Sequence, residues 1–314
     1  MWRGYTMLYY VLRRILFGAF VLLGTSIITF VIAFLVPADP AVAMAGAKAD
    51  PQTLTMIRSQ LGLDKPVYVQ YARYIGHAAH GDLGRSYIRR ESVTRLILER
   101  FPATLILAVS AMALALILAI PMGMLSAAYR ERAPDNLLLV LSLGLISVPV
   151  FWLGTLLLIA AAISLRSFPL GGYSGWKSLL LPALTLAFGL AGYYARILHI
   201  NLIESMQQEY VRTARSKGLS RGRVMLKHAM ANAILPLVTL AGLDLAGLLS
   251  GVVLTETVFD WPGIGRLAFD AIFNLDIPLI MGTVLFAAFL IVAANLVIDL
   301  LYAWLDPRIQ LGGL

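Results

Sequence analysis

The 314-residue sequence contains no cysteine and has few charged residues. Without cysteine the chain has no disulfide bond, zinc–thiolate site, iron–sulfur cluster or cysteine nucleophile. Charged residues make up 13% and hydrophobic residues 60% of the sequence, whereas soluble domains average about 25% charged and about 45–50% apolar residues. This imbalance argues against soluble globular, disordered and fibrous proteins. The composition therefore predicts an all-α integral membrane protein.

Hydrophobic runs long enough to cross a bilayer, which takes about 20 mainly apolar residues, occur six times in the sequence. The second, third and sixth runs are long enough to imply a tilted helix or helical ends outside the lipid. We expect one transmembrane domain over residues 1–314 with six spanning helices. The predicted spans are 15–36, 102–129, 137–165, 179–203, 233–258 and 278–305.

Lysine and arginine are concentrated in segments that six spans would place on one side of the membrane. These segments hold 13 such residues, whereas the two short loops opposite hold three. The long outer loop 37–101 holds nine more, but loops beyond about 60 residues follow the positive-inside rule poorly. Because cytoplasmic loops carry the excess of lysine and arginine, the net charge of +8 indicates topology rather than nucleic-acid binding. We expect both termini in the cytoplasm. The cytoplasmic segments are 1–14, 130–136, 196–232 and 306–314, and the short outer loops are 166–178 and 259–277.

The first span follows Arg13 and Arg14 and has the general form of a secretory signal peptide. Its 22 residues exceed the apolar region of a signal, which is about 7–15 residues long, so we expect a retained helix. Met7 offers an alternative start of the chain, because residues 7–14 already form a complete amphipathic entry to this span.

Residues 37–101 should face outward as a small helical cap at the membrane surface. Residues 51–61 and 67–80 are helix-like, the second with tyrosines at helical spacing, and turns are expected at 61–66 and 81–84. The pattern fits either a packed extracytoplasmic loop or a docking surface for a soluble partner.

The 204–232 loop is expected to form a helix, a break and a second helix. Gly218 follows the first helix at the position that favours a left-handed residue, with the apolar Leu219 next, and Ser220 can cap the second helix. A basic, lipid-facing loop would explain the charge but not the break, whereas a rigid element that couples to a cytoplasmic partner would explain both. The apolar stripe of the first helix comprises Met206, Tyr210, Val211 and Ala214.

The run Glu209-Tyr-Val-Arg-Thr-Ala-Arg-Ser-Lys-Gly218 resembles the EAA signature of permease subunits in ABC importers, in the form found in dipeptide, oligopeptide and nickel transporters. The resemblance covers the whole chain. Further matching motifs are Leu12-Arg-Arg14, Pro37-Ala-Asp-Pro40, Gln60-Leu-Gly-Leu-Asp64, Gly81-Asp-Leu-Gly-Arg-Ser86, Pro102-Ala-Thr-Leu105, Ser147-Val-Pro-Val-Phe-Trp-Leu-Gly154, Leu181-Pro-Ala-Leu-Thr185, Glu256-Thr-Val-Phe-Asp-Trp-Pro-Gly-Ile-Gly-Arg266, Asp299-Leu-Leu-Tyr302 and Leu305-Asp-Pro-Arg-Ile309.

The sequence departs from the family pattern at four positions, which lie in three places. Arg212-Thr-Ala214 stands where the strict signature has Glu-Ala-Ala, Ala231 replaces a usual proline, and Ala38 replaces a usual glycine.

The resemblance implies a fold like that of type I ABC importer permeases, in which six transmembrane helices carry an extracytoplasmic helical segment between helices 1 and 2 and a cytoplasmic coupling helix-turn-helix. It implies alternating access in a bacterial cytoplasmic (inner) membrane, driven by ATP hydrolysis in separate subunits. The chain has no Walker A motif, so it should not be an enzyme, and the ATP and Mg²⁺ would be used by those subunits. The implied partners are a second homologous permease subunit in a heterodimer, two cytoplasmic ATP-binding subunits, an extracytoplasmic substrate-binding protein and membrane lipid, with no nucleic acid.

No catalytic residue, cofactor or metal site is predicted in the chain itself. Asp244 and Glu256 are candidate pathway residues. A carboxylate inside a span is a functional candidate by default; Asp244 could attract a peptide ammonium or a metal cation, or it could be protonated or paired with a neighbouring helix. Glu256 is expected to frame a gate. The predicted ATPase-coupling residues are Glu209, Tyr210, Arg212, Thr213, Ala214, Arg215, Lys217, Gly218 and Leu219.

Other polar residues receive structural interpretations. His77 and His80 are expected at the surface, with a weak metal pair as the alternative. Asp299 should make hydrogen bonds in helix packing, and Arg196 and His199 should meet lipid headgroups or the 204–232 loop.

The leading function is import of short peptides, and nickel or nickel-chelate import by the same architecture is the alternative. A channel or secondary transporter is weakened by the lack of an inverted sequence repeat. A membrane enzyme is disfavoured because no nucleophile–base pair is present.

Overall fold

The computed structural model describes residues 2–35, 40–45, 49–164 and 169–305, and within these ranges the regular structure is helical. Residues 37–39 and 306–309, which belong to two of the motifs above, lie outside the described residues, as does Met1. The helices are α1 (Trp2–Leu35), α2 (Pro40–Ala45), α3 (Pro51–Leu61), α4 (Val67–Ala78), α5 (Val93–Ala128), α6 (Ala133–Ser147), α7 (Val150–Ser164), α8 (Trp176–Ser205), α9 (Glu209–Ser216), α10 (Arg221–Val224), a π-helical turn (Met225–Ala229), α11 (Met230–Ala233), α12 (Leu235–Leu249), α13 (Val253–Val258), α14 (Ile264–Phe273) and α15 (Ile277–Leu305).

Four of these helices contain a stretch long and apolar enough to cross a membrane. The stretches are Val11–Ala33, Val93–Ala128, Trp176–Ser205 and Ile277–Asp299, and two bent helix pairs bring the number of spans to six if each pair crosses once. Helix α5 begins at Val93, nine residues before the predicted span at 102, and these first turns contain the charged residues Arg95, Glu99 and Arg100. The all-helical membrane fold is as the sequence predicted.

The third predicted span, 137–165, is not one helix. Helices α6 and α7 meet at a break with a bend of 100°, where Val148 adopts an extended conformation (φ −82°, ψ 123°). The next residue is Pro149, and the ring of a proline disfavours a helical conformation in the residue before it. Hydropathy predicts both helices because both are apolar, but it does not register the change of direction.

The fifth predicted span, 233–258, is also interrupted. The helical run Arg221–Ala233 and helix α12 are bent by 49° near Pro236, which lacks the N–H that a continuous helix requires. Helix α12 then ends at Leu249. Gly251 follows with φ +110°, and a Cβ atom there would lie 2.9 Å from the backbone nitrogen of Gly265. Only glycine satisfies both the positive φ and this close backbone approach.

The segment between α1 and α5 contains three short helices, of which the sequence predicted α3 and α4 but not α2. Helix α3 ends at Leu61, and the next residue, Gly62, is left-handed (φ 69°) and donates its backbone N–H to carbonyls of the helix. Helix α4 packs on α1: the Tyr71 and Ser26 hydroxyls lie 2.8 Å apart, and the Tyr71 and Phe30 rings are 5.2 Å apart.

Backbone contacts divide the chain into two compact units, the first of which comprises Met1–Thr104, Leu249–Val253 and Pro262–Leu314. In its described part, α1 approaches α15 closely enough that a Cβ at Gly18 would lie 2.6 Å from a Val292 methyl carbon. A buried apolar cluster joins α5, α14 and α15; its members are Val93, Leu96, Ile97, Ile264, Leu267, Ala271 and Leu279.

The second unit comprises Leu105–Leu248 and Leu254–Trp261. Its core is dominated by alanine, which lets α5, α8 and α12 pack at short distance. A Cβ at Gly192 of α8 would lie 2.6 Å from the Ser142 carbonyl oxygen of α6. The buried core residues are Met112, Ala115, Ala119, Ala127, Ala187, Ala191, Tyr194, Ala195, Leu198, Leu202, Ala229, Ala233, Leu237 and Ala241.

Candidate functional site

The 204–232 loop forms the predicted helix, break and second helix. Helix α9 ends at Ser216, and Gly218 has φ +81°, which is the left-handed conformation predicted for it. The chain restarts as α10 at Arg221, continues through the π-helical turn and reaches α11. Ser220 precedes α10 as its N-cap residue, but its side chain makes no capping hydrogen bond.

The two helical arms pack on each other through a small apolar cluster. Val211 and Ala214 of α9 and Val224 of α10 are buried together, with Leu219 and Met206 packed against them. Tyr210, which the sequence placed in this stripe, is 38% exposed because it lies at the solvent edge of α9. The cluster thus holds α9 and α10 together as a hairpin.

The exposed surface of this hairpin is cationic. Arg215, Leu219 and Arg221 line an open groove of about 510 Å³. Arg212, at the position of the signature glutamate, donates to Glu209 with 3.0 Å between Nη1 and Oε1. Thr213 and Lys217 complete the polar surface of the hairpin, where Thr213 donates its hydroxyl to the Glu209 carbonyl oxygen. The groove therefore suits an acidic partner surface.

Asp244 lies on α12 and is bonded to a neighbouring helix. The Tyr194 hydroxyl of α8 donates to Asp244 Oδ2 at 2.7 Å. Tyr194 is fully buried, whereas Asp244 is partly exposed. The sequence singled out Asp244 but not Tyr194, because a tyrosine within an apolar helix carries no signal for its partner.

Glu256 is completely buried on α13. Its carbonyl oxygen accepts the backbone N–H of Trp261 at 2.7 Å, which closes a tight turn over residues 256–261. The 171–173 strip packs on this turn: Gly172 N–H donates to the Phe259 carbonyl at 3.0 Å, and the Tyr173 and Trp261 rings are 4.9 Å apart. Glu256 therefore belongs to a packed turn in the second unit.

A buried polar network joins three residues that the sequence did not connect. The Ser126 hydroxyl donates to Asp135 Oδ1 at 2.5 Å and lies 2.8 Å from His199 Nδ1. Since an ionised carboxylate only accepts, His199 Nδ1 donates to Ser126 Oγ in this arrangement. The expectation that His199 meets lipid headgroups or the 204–232 loop is therefore wrong, because the residue is only 9% exposed and its ring bonds to Ser126 of α5.

A second unpredicted cluster surrounds Asp276, which is 1% exposed. Its carboxylate accepts the Ser86 hydroxyl and the backbone N–H of Tyr87, the latter at 3.1 Å. The Ile88 N–H also points at it, at 3.4 Å. Burial and the adjacent Asp276 charge raise the pKa of Tyr87 to about 12. The cluster ties residues 86–88 to the start of α15.

The two histidines of the segment between α1 and α5 make separate contacts. His77 Nδ1 lies 3.4 Å from Asp82 Oδ2, and His80 Nδ1 lies 2.8 Å from the Gly76 carbonyl oxygen. Both side chains are exposed, as the surface interpretation predicted. Among the described residues, no group of three or more histidine, aspartate or glutamate side chains is placed to hold a metal ion.

Two models of known protein families match this chain. The model described as "Binding-protein-dependent transport system inner membrane component" matches residues 119–311, and a model of the N-terminal part of such components matches residues 7–108. The chain belongs to this family of ABC importer permeases. The 204–232 loop, with the hairpin formed by α9 and α10, lies in the part matched by the first of these models.

Individual relatives of this permease match it over nearly its full length. The "Probable D,D-dipeptide transport system permease protein DdpB" of Escherichia coli K12 is 40% identical over 96% of this chain and 98% of its own length. The "Glutathione transport system permease protein GsiC" of Salmonella paratyphi A is 40% identical over 97% of this chain and 99% of its own length.

Two solved structures share the permease fold. A chain of the MetNI methionine ABC transporter in an inward-facing form superposes with a TM-score of 0.54 at 16% identity, covering 67% of this chain and 96% of that chain. A chain of an amino acid ABC transporter with histidines gives a TM-score of 0.53 at 14% identity, covering 69% of this chain and 95% of that chain. At these identities the likeness concerns the fold.

Proposed function

We propose that this permease forms half of the translocation pathway of an ABC importer for dipeptides and other short peptides. The observation that carries the proposal is the end-to-end likeness to permeases named for D,D-dipeptide and glutathione transport, both of which are peptide cargoes. Neither name mentions nickel, so peptide cargo is the better supported of the two cargoes that the sequence allowed.

In this proposal residues 1–314 act as one transmembrane domain with six spans and cytoplasmic termini. The segments on the same side as the termini carry more lysine and arginine than the two short loops on the opposite side, and this excess supports the orientation. The segment 37–101 then faces outward, where a substrate-binding protein delivers cargo. A second, different permease subunit completes the pathway.

The hairpin formed by α9 and α10 is the proposed docking element for a cytoplasmic ATP-binding subunit, which hydrolyses ATP with Mg²⁺. Its apolar cluster of Val211, Ala214 and Val224 makes it rigid enough to transmit a displacement. The groove between Arg215 and Arg221 would receive carboxylates of that subunit, since opposite charges favour correct docking. Motion of the hairpin would pass to the spans through α8 and α12, which flank it in the chain.

Cargo is tested by uptake in a strain that lacks this gene, with labelled dipeptide, glutathione and nickel compared side by side. We expect peptide uptake to be lost and nickel uptake to be unchanged, with recovery on re-expression of the gene. Loss of nickel uptake alone would contradict the proposed cargo and leave the family membership unaffected.

Docking is tested with Arg215→Glu and Arg221→Glu in the complete transporter. Both variants should insert normally but lose most uptake and most of the ATP hydrolysis stimulated by the binding protein. Arg223→Glu is the matched control, because Arg223 is exposed on the same hairpin but does not line the groove. Normal uptake in both groove variants would refute the docking assignment.

A further inference from the structure

Asp244 is an isolated charge in a long apolar part of the chain. It is the only charged residue between Ala229 and Thr255. At about 1.5 Å of rise per residue it lies about 14 Å along α12 from Leu235, and its partner Tyr194 lies about 27 Å along the 30-residue helix α8. Both residues therefore lie more than one helical turn inside their helices, with Asp244 five residues before the end of α12 at Leu249.

Tyr194 holds the carboxylate in one orientation. The phenol is fully buried within the alanine-rich core of the second unit, and its hydroxyl donates to Oδ2 at 2.7 Å. A second neighbour of the same hydroxyl, Met112 Sδ, lies at 3.8 Å and is a weak acceptor. One carboxylate oxygen is thus occupied by a donor from a rigid core, and Oδ1 makes no such bond in the described part of the chain.

Asp244 has no cationic partner among the described residues, although it is partly exposed. A carboxylate at this depth cannot face hydrocarbon without a large cost, and such residues face protein or a water-filled cavity. Gly247, one turn further along α12, is exposed and has open space at its Cβ position. The carboxylate of Asp244 therefore needs polar surroundings, which lipid does not supply.

We propose that Asp244 is the subsite for the ammonium group of the cargo, with Tyr194 as the positioning residue. This inference rests on the proposed function, since it takes Asp244 to line the pathway of a peptide importer. Dipeptides and glutathione each carry a primary ammonium with three N–H donors, and the free Oδ1 is an acceptor of opposite charge. The bond from Tyr194 keeps the carboxylate fixed while the cargo binds and leaves, so the site does not have to reorganise.

The first test measures the electrostatic field of Asp244 with thiol reagents. The chain contains no cysteine, so Gly247→Cys introduces a single thiol near Asp244. In the complete transporter in proteoliposomes, the thiol is treated with a cationic trimethylammonioethyl and an anionic sulfonatoethyl methanethiosulfonate. At roughly one helical turn from a carboxylate, the ratio of the cationic to the anionic rate should fall about threefold or more when Asp244→Asn is added.

The second test measures transport of labelled dipeptide by the same transporter. Asp244→Asn should lower uptake about tenfold or more, and Asp244→Glu should recover part of it. Tyr194→Phe should raise the KM for cargo loaded on its binding protein more than it lowers the maximal rate. Tyr193→Phe is the matched control: Tyr193 is 42% exposed on the same helix and does not bond to Asp244.

The outcomes separate this inference from the proposed function. If neither reagent modifies Gly247→Cys, or if the rate ratio ignores Asp244→Asn, the ammonium subsite is wrong even when the wild-type transporter imports dipeptide. Unchanged dipeptide uptake by Asp244→Asn would overturn it equally. If the wild-type transporter fails to import dipeptide, glutathione or nickel while the rate ratio responds as expected, the proposed cargo is wrong and the cation-attracting site stands.

Discussion

Arg14 and Asp299 form an ion pair, with 3.1 Å between Nη1 and Oδ2, that joins helix α1 to helix α15. The contact spans nearly the whole sequence, and it occurs where the two helices approach at Gly18 and Val292. It gives Asp299 the helix-packing role that the sequence indicated, but with α1 as its partner. This ion pair and the close approach at Gly18 both contribute to the packing of α1 on α15.

Removal of this ion pair should destabilise the packing of α1 on α15. The side chains are 42% and 23% exposed, so we expect Arg14→Ala to cost only about 1 kcal/mol. The measurement is the thermal unfolding midpoint of the purified transporter in detergent. Arg14→Asp with Asp299→Arg should recover part of the loss, whereas Arg14→Asp alone should be worse than Arg14→Ala because it places two carboxylates together.

Replacement of Asp276 should release the 86–88 segment from the start of α15. Asp276→Ala leaves the Ser86 hydroxyl and the Tyr87 N–H without their acceptor in a buried site, which should cost about 2–3 kcal/mol. Amide hydrogen exchange over residues 84–92 should rise strongly. Asp270→Ala is the control, because Asp270 makes only a partly exposed ion pair with Arg89 at 3.4 Å; equal exchange in both variants would contradict the prediction.

Gly192→Ala should force α8 away from α6. The added Cβ would lie 2.6 Å from the Ser142 carbonyl oxygen, and overpacking of this kind typically costs about 1–3 kcal/mol. Gly189→Ala on the same helix meets nothing within 4 Å and should be neutral or slightly stabilising, since alanine is the better helix former. Detergent stability of the two variants, measured in parallel, checks the difference; equal stability would mean that α6 and α8 do not approach at Gly192.

Ser126→Ala should weaken the packing of α5 on α6 and α8, because Ser126 bonds to Asp135 of α6 and His199 of α8. The substitution leaves Asp135 Oδ1 and His199 Nδ1 without their shared partner, at a cost of about 1–3 kcal/mol for buried polar groups. Ser147→Ala is matched in chemistry, but Ser147 is exposed and donates only to the Leu143 carbonyl of its own helix. A lower unfolding midpoint for Ser126→Ala alone is the expected result, and similar midpoints would indicate that water replaces the serine.

Turns and helix ends could be predicted from the sequence because the residues that determine them lie within a few positions of each other. Gly218 was predicted to be left-handed from the helix before it and Leu219 after it, and its φ of +81° agrees. The turn at Gly62 and the helices at Pro51–Leu61 and Val67–Ala78 follow from turn chemistry and periodicity in the same way. The bend at Pro149 had a local signal as well, but hydropathy alone joined the two helices into one span.

The sequence by itself therefore determined that this is a helical membrane protein, where most apolar segments lie, and that a broken hairpin follows α8, since composition, hydropathy and glycine conformation are local properties. Only the tertiary structure decided that Tyr194 holds Asp244, that His199 turns toward Ser126 and Asp135, and that Asp276 receives Ser86. Each of these contacts joins residues that are far apart in sequence, and a uniformly apolar helix does not specify by its pattern which face will meet which neighbour. Close packing of small residues selects those faces, and the buried polar groups then pair because leaving them unpaired would be costly.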